Sequence, residues 1–219
     1  MHPPVPYSFK KQIFWLSGQR SIFWEQEKAL IVADLHLGKT GHFRKSGIPI
    51  PQTIFKEDMQ RLVNEVQHFK PSQLIIVGDL FHSEANKELE LFKKWRKDHS
   101  ALHLHLVKGN HDILDADWYK KTKIQIHEEE LIMKNFCFRH GHSEREPTDS
   151  SLYFFTGHLH PGISISGAGR QSLHFPCFYF KKDSAVLPAF SRFTGTYPIR
   201  PQKGETVYAI VESKLIQVA

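Results

Sequence analysis

The chain has 219 residues, 40% of them hydrophobic and 24% charged, enough for one sizeable core and a single domain over 1–219. No apolar run approaches the roughly 18 residues that cross a bilayer, and MHPPVPYSFKKQIFW lacks the order of a signal peptide, so no membrane partner and a cytoplasmic location are expected. Twenty-nine Lys and Arg against 23 Asp and Glu leave a net charge of +6, which suits a polyanionic partner without naming one.

In chain order, QIFWL, SGQR and SIFWE predict a β-hairpin feeding a strand ALIVA at 29–33. Pro51 opens a helix with Ile54, Phe55, Met59, Leu62, Val63, Val66 and Phe69 on one face, and Pro71 stops it. LIIV at 74–77 is a short buried strand, ELELFKKWRKDH a helix, and LHLHLV at 102–107 a third strand. Within that helix, KKWRK at 93–97 reads either as a solvated face with Trp95 packed inward or as a nucleic-acid contact. From about residue 124 the texture turns to strands: LIMKNFCFRH, SLYFFTGH, HFPCFYF, AVLPAF, VYAIV and KLIQV. Cys137 and Cys177 lie among apolar and aromatic neighbours, as small buried thiols do. The whole predicts an α/β fold of two sheets packed face to face with helices outside.

Polar clusters end these strands, and they draw on few residue types. They are Asp34-Leu-His36, Gly78-Asp79-Leu-Phe-His82, Gly109-Asn110-His111-Asp112, His140-Gly-His142 and Gly157-His158-Leu-His160. In open α/β sheets ligands bind beyond the carboxyl ends of strands, so distant clusters at those ends converge on one site. Carboxylate, imidazole and amide oxygen together suit Mn, Fe or Zn, and so many donors exceed one tetrahedral ion and fit two ions sharing a carboxylate. Glycines before Asp79, Asn110 and His158 allow sharp turns and close approach.

DLH, GDLFH, GNHD, HGH and GHLH in this order resemble the calcineurin-like metallophosphoesterase signature. The resemblance implies a four-layer α/β/β/α sandwich with two mixed sheets and a pair of divalent ions, Mn foremost. It implies Asp34, His36 and His160 on the first ion, Asn110, His140 and His158 on the second, and Asp79 bridging. His111 would be the catalytic histidine, oriented by Asp112. GKTGHFRKSGIPIP, PCFYF and LPAFSRFTGTYP are similar to the ligase-associated DNA damage response endonucleases, the PdeM family. That implies a DNA endonuclease of repair acting on single-stranded or damaged DNA beside an ATP-dependent DNA ligase, an exonuclease and a helicase.

His82, three residues after Asp79, resembles a histidine of double-strand-break repair nucleases that helps with the phosphate, against a local role near Glu84. Lys39, His42 and Arg44 are candidates for neighbouring phosphates, where Arg offers a planar fork and Lys a point charge. His142 is a candidate beside the site. Phe190 and Phe193 read as core packing or as an aromatic wall for bases. Two rivals remain open: a phosphodiesterase or pyrophosphohydrolase for small or lipid-linked substrates, and a scaffold without chemistry. The first lacks a lid-sized insertion between GNHD and HGH, and the second lacks any gap among the expected ligands.

Overall fold

The structure is a computed structural model that describes residues 2–38, 53–81, 87–141, 151–167 and 171–219. Two sheets carry the fold. The first runs β1 (Val5–Phe9), β2 (Gln12–Ser17), β3 (Ser21–Trp24), β4 (Ala29–Ala33), β5 (Gln73–Val77), β6 (His103–Val107) and β7 (Ile124–His127), side by side in that order. Pairing is antiparallel up to β4 and parallel from β4 to β7. Among the described residues, three helices connect the parallel strands: α1 (Thr53–Phe69), α2 (Lys87–Asp98) and α3 (Ala116–Lys121).

The second sheet has nine strands: β8 (Glu130–Met133), β9 (Phe136–Arg139), β10 (Tyr153–Thr156), β11 (Pro161–Ser166), β12 (Ser172–Phe180), β13 (Ser184–Val186), β14 (Tyr197–Pro198), β15 (Thr206–Val211) and β16 (Lys214–Gln217). β10 is parallel to β9 and to β13, so this sheet is also mixed. The long β12 changes neighbours near Pro176: its first part pairs with β11, its second with β13 and β15.

Why ALIVA is apolar without alternation follows from its two faces. Leu30 and Val32 join Leu74, Ile76, Leu104 and Leu106 under Phe55 and Leu62 of α1, Phe92 and Trp95 of α2 and Tyr119 of α3. Ala29, Ile31 and Ala33 face the other way, into the layer where Phe14 and Trp24 meet Phe136, Phe138, Phe155 and Phe178 of the second sheet. A strand covered on both faces needs no polar side. The three described helices all lie on the first sheet; the outer face of the second carries a smaller cluster of Cys177, Tyr179, Val186 and Val207. Both cysteines are buried and unpaired, and burial first of all pushes each thiol up to about 12.

The α/β sandwich of two mixed sheets expected from the sequence is therefore present, with local differences. LIMKNFCFRH is a hairpin, β8 and β9 paired antiparallel around Lys134 and Asn135. Only the start of AVLPAF is a strand, β13. The helix expected to open at Pro51 is described from Thr53, and Pro51 lies outside the described residues. Among the described residues, no helix is long and apolar enough to cross a membrane.

Candidate metal centre

Every expected metal ligand sits just beyond the carboxyl end of a strand: Asp34 and His36 after β4, Asp79 after β5, Asn110 after β6, His140 after β9, His158 and His160 after β10. The loops are stitched to one another. The amides of Asp34, His36 and Leu37 donate to the carbonyls of Gly78, Asp79 and Leu80, and the Gly157 amide donates to the His140 carbonyl. Backbone geometry is unusual here: Asp34, His36, Asp79, His158 and His160 have φ between 46° and 64°. Left-handed backbone costs an ordinary residue roughly 1–2 kcal/mol. Side chains that pay this at five points of one site are being aimed.

The side chains fall into two groups, Asp34 with His36 and His160, and Asp79 with His140 and His158, the donor atoms of each lying within 4.8 Å of one another. Asp79 Oδ2 faces both, 3.7 Å from His36 Nε2 and 3.4 Å from His140 Nε2. Asn110 Oδ1 stands 3.2 Å from His140 Nε2, beside the second group. His158 Nδ1 and His140 Nε2 are 3.1 Å apart. His160 Nε2 is buried without a hydrogen bond, although Asp34 Oδ1 is 3.4 Å away. A cation in each group would engage these lone pairs, and the donor set of two carboxylates, an amide oxygen and four imidazoles suits borderline divalent ions.

The electrostatics agree with that fit. Burial opposes a charged His140, yet its bond to Asp79 and the charges of Asp34 and Asp79 hold the imidazole above its usual range. Burial likewise opposes ionised Asp79, but His140, the His111 amide and His36 overturn it and hold the carboxyl below the usual range. The cluster thus draws positive charge to the place where ions would sit.

The motif glycines are filled-space positions. A Cβ on Gly78, whose φ is +77°, would meet His140 Nδ1 at 1.9 Å. On Gly109 it would meet Asp79 Oδ1 at 2.2 Å, and on Gly157 Asp34 Oδ2 at 2.7 Å. The expected close approach is therefore to the ligands themselves: each of these glycines makes room for a ligand from another strand end.

His111 is half-buried, its ring centroid 5.5 Å from that of His36, and its amide donates to Asp79 Oδ1 at 2.9 Å. Asp112 is buried, and its recorded bonds are to backbone. Oδ1 accepts from the Leu80 and Phe81 amides at 2.9 and 3.2 Å, and Oδ2 from the Gly109 amide at 2.9 Å. It ties the GNHD loop, which carries His111, to the GDLF loop. Burial, assisted by the charge of Asp79, pushes its carboxyl up to about 6 against those bonds.

Two arginines that the sequence did not single out complete the frame. Arg20 Nη1 donates to the carbonyls of Ala189 and Ser191 at 3.1 and 2.7 Å. Arg61 pairs with Asp58 at 2.7 Å, donates to the Phe190 carbonyl and lies over the Phe190 ring at 4.3 Å. They press the LPAF segment onto β4, where the Phe190 and Ser191 amides donate to the carbonyls of Ala33 and Asp34. Phe190 is core, not an aromatic wall. Lone cations distant in sequence carry no motif, so only the fold reveals them. His82, Lys39, His42, Arg44 and His142 lie outside the described residues.

Among known proteins, the calcineurin-like phosphoesterase family matches residues 28–184 of the chain, a span that holds every expected ligand. The chain belongs to that family. A calcineurin-like phosphoesterase with this donor set is a metal-dependent phosphoester hydrolase. The crystal structure of Pseudomonas putida nuclease MPE is similar at 29% identity and a TM-score of 0.81, over 97% of this chain and 100% of that one. An Escherichia coli phosphoesterase, Yfce, matches at 14% identity and a TM-score of 0.46, over 87% of this chain and 98% of that one. Curated proteins gave no significant match.

Proposed function

We propose that this calcineurin-like phosphoesterase is a two-metal phosphodiesterase that cleaves DNA internally, on single-stranded or damaged DNA during repair, with Mn as its ion. Asp79 carries the reading, because one oxygen faces both donor groups and so couples them into a single centre. When bound, the two ions supply a nucleophile usable at neutral pH and neutralise charge building on the phosphate oxygens. Asp34, His36 and His160 would hold one ion, His140, His158 and Asn110 the other. His111, fixed by its loop at the edge of the first group, stabilises that charge or protonates the leaving oxygen. For DNA as the substrate, the support is the similarity to a nuclease over the whole chain, the net charge of +6 and the PdeM-like segments. The same resemblance makes an ATP-dependent ligase, an exonuclease and a helicase its proposed companions.

The test sets bis(p-nitrophenyl) phosphate, a single-stranded oligonucleotide and a duplex side by side with Mn, Mg and Zn. Internal cleavage of the single strand with Mn, abolished in Asp79→Ala, is expected. No DNA cleavage by the wild type, or equal cleavage by the variant, would sink the nuclease reading; turnover of the small ester alone would favour a small-substrate phosphodiesterase.

A further inference from the structure

A second feature of the surface has the chemistry of a polyanion site and stands apart from the metal centre. The C-terminal halves of α2 and α3 border a groove of about 410 Å³ lined by Lys93, Lys97, Lys121 and Lys123, with Arg96 and Thr122 below them and no carboxylate among the described lining residues. Lys93 shares its charge with Glu90 at 2.8 Å, while Lys97, Lys121 and Lys123 form no ion pair among the described residues.

The C-terminal ends of helices ordinarily repel anions, because their last carbonyls carry partial negative charge. Arg96 removes that objection. It is buried, and its guanidinium donates to the carbonyls of Thr122 and His99, which close α3 and α2. Trp95 does pack inward, its ring 5.3 Å from that of Phe92. The run KKWRK thus splits by role: Trp95 and Arg96 build the floor, and Lys93 and Lys97 look into the groove.

We infer that this groove, at the end of α2 away from the metal centre, holds the sugar-phosphate backbone of single-stranded DNA at least about four nucleotides from the scissile phosphate, as a sequence-independent anchoring site. The inference rests on the nuclease reading and adds where the strand runs. Placement supports it: Glu88, in the first turn of α2, borders a cleft that His36 also lines, and Lys97, near the other end, borders the groove. Nine residues of helix span about 14 Å, or about four nucleotides at a stacked rise of 3.4 Å. Lysines on flexible stems suit a backbone whose phosphates must be gripped without being read.

The experiment uses the full chain loaded with Mn and a variant with Lys93→Glu, Lys97→Glu, Lys121→Glu and Lys123→Glu; the same four changed to Gln serve as a milder pair if charge reversal disturbs folding. Expected is unchanged turnover of bis(p-nitrophenyl) phosphate, a KM for a long single-stranded oligonucleotide raised roughly 10- to 100-fold, and a log–log salt slope of binding shallower by about 2 to 3. Wild-type affinity should also rise from a dinucleotide to an octanucleotide, a gain that both variants lose. If both variants bind and cleave oligonucleotides as the wild type does, the groove is overturned and the nuclease reading stands. If the wild type turns over the small ester but neither binds nor cleaves DNA, the nuclease reading falls and the groove with it.

Discussion

The first sheet brings Asp34, His36, Asp79 and Asn110 to the centre on three adjacent parallel strands, whereas the second brings His140, His158 and His160 on two. Their chemistry differs as well: the first sheet supplies every oxygen donor, the second only imidazoles. Yet each donor group mixes them, Asp34 and His36 with His160, and Asp79 with His140 and His158. Neither sheet supplies a whole donor group alone. The aromatic layer between them, from Phe14 and Trp24 to Phe138 and Phe155, is therefore the part of the fold that sets ligand spacing.

The most direct way to break the partnership is to remove the residue that both groups share. Asp79→Ala should leave less than one ion per chain by elemental analysis and lower the rate on bis(p-nitrophenyl) phosphate by at least ~10³-fold. Next come the glycines, which separate contact within the first sheet from contact between the sheets. Gly109→Ala presses on Asp79 and Gly157→Ala on Asp34, and each should lower activity by roughly 10- to 100-fold through displaced ligands. Full metal content and wild-type rate in Gly157→Ala would show that the sheets do not interlock there.

A smaller effect is expected at Asp112, which ties two loops of the first sheet together. Asp112→Asn should lower kcat with little change in KM and cost about 1–3 kcal/mol of stability, read from thermal melting. The smallest lies on the helix-covered side, at Glu65 of α1, buried and bonded to the Ser21 hydroxyl. Burial raises its pKa, so the folded state holds its proton more tightly than the unfolded chain. Its stabilising share is complete below the unfolded value near 4.5 and is lost as pH rises through the folded one. Glu65→Gln should therefore melt above the wild type at pH 8 and level with it at pH 4.

How far the sequence could be read follows the same division. Strands β4 and β5 announce themselves because burial on two faces makes them continuous apolar runs, β6 shows itself by leucines alternating with His103 and His105, and the polar ends of all three carry the expected donors. β7 was hidden by its alternating IQIH, α3 by having too few residues for a helical period, and β1 and β14 by proline and brevity. β12 is longer than HFPCFYF suggested because it serves two sets of neighbours. In the site, residue types revealed the donors, but not how they are held. The bonds of Asp112 to backbone, the grip of Arg20 and Arg61 on the LPAF segment, and the glycine-to-ligand contacts join segments distant in sequence.

The left-handed backbone at Asp34, His36, Asp79, His158 and His160 has a consequence for how such a protein can change. Glycine at any of them would relieve roughly 1 kcal/mol of strain while deleting a ligand. Stability and catalysis are thus in conflict at single positions, and random substitution screened by melting temperature alone would drift toward sturdier, inert proteins.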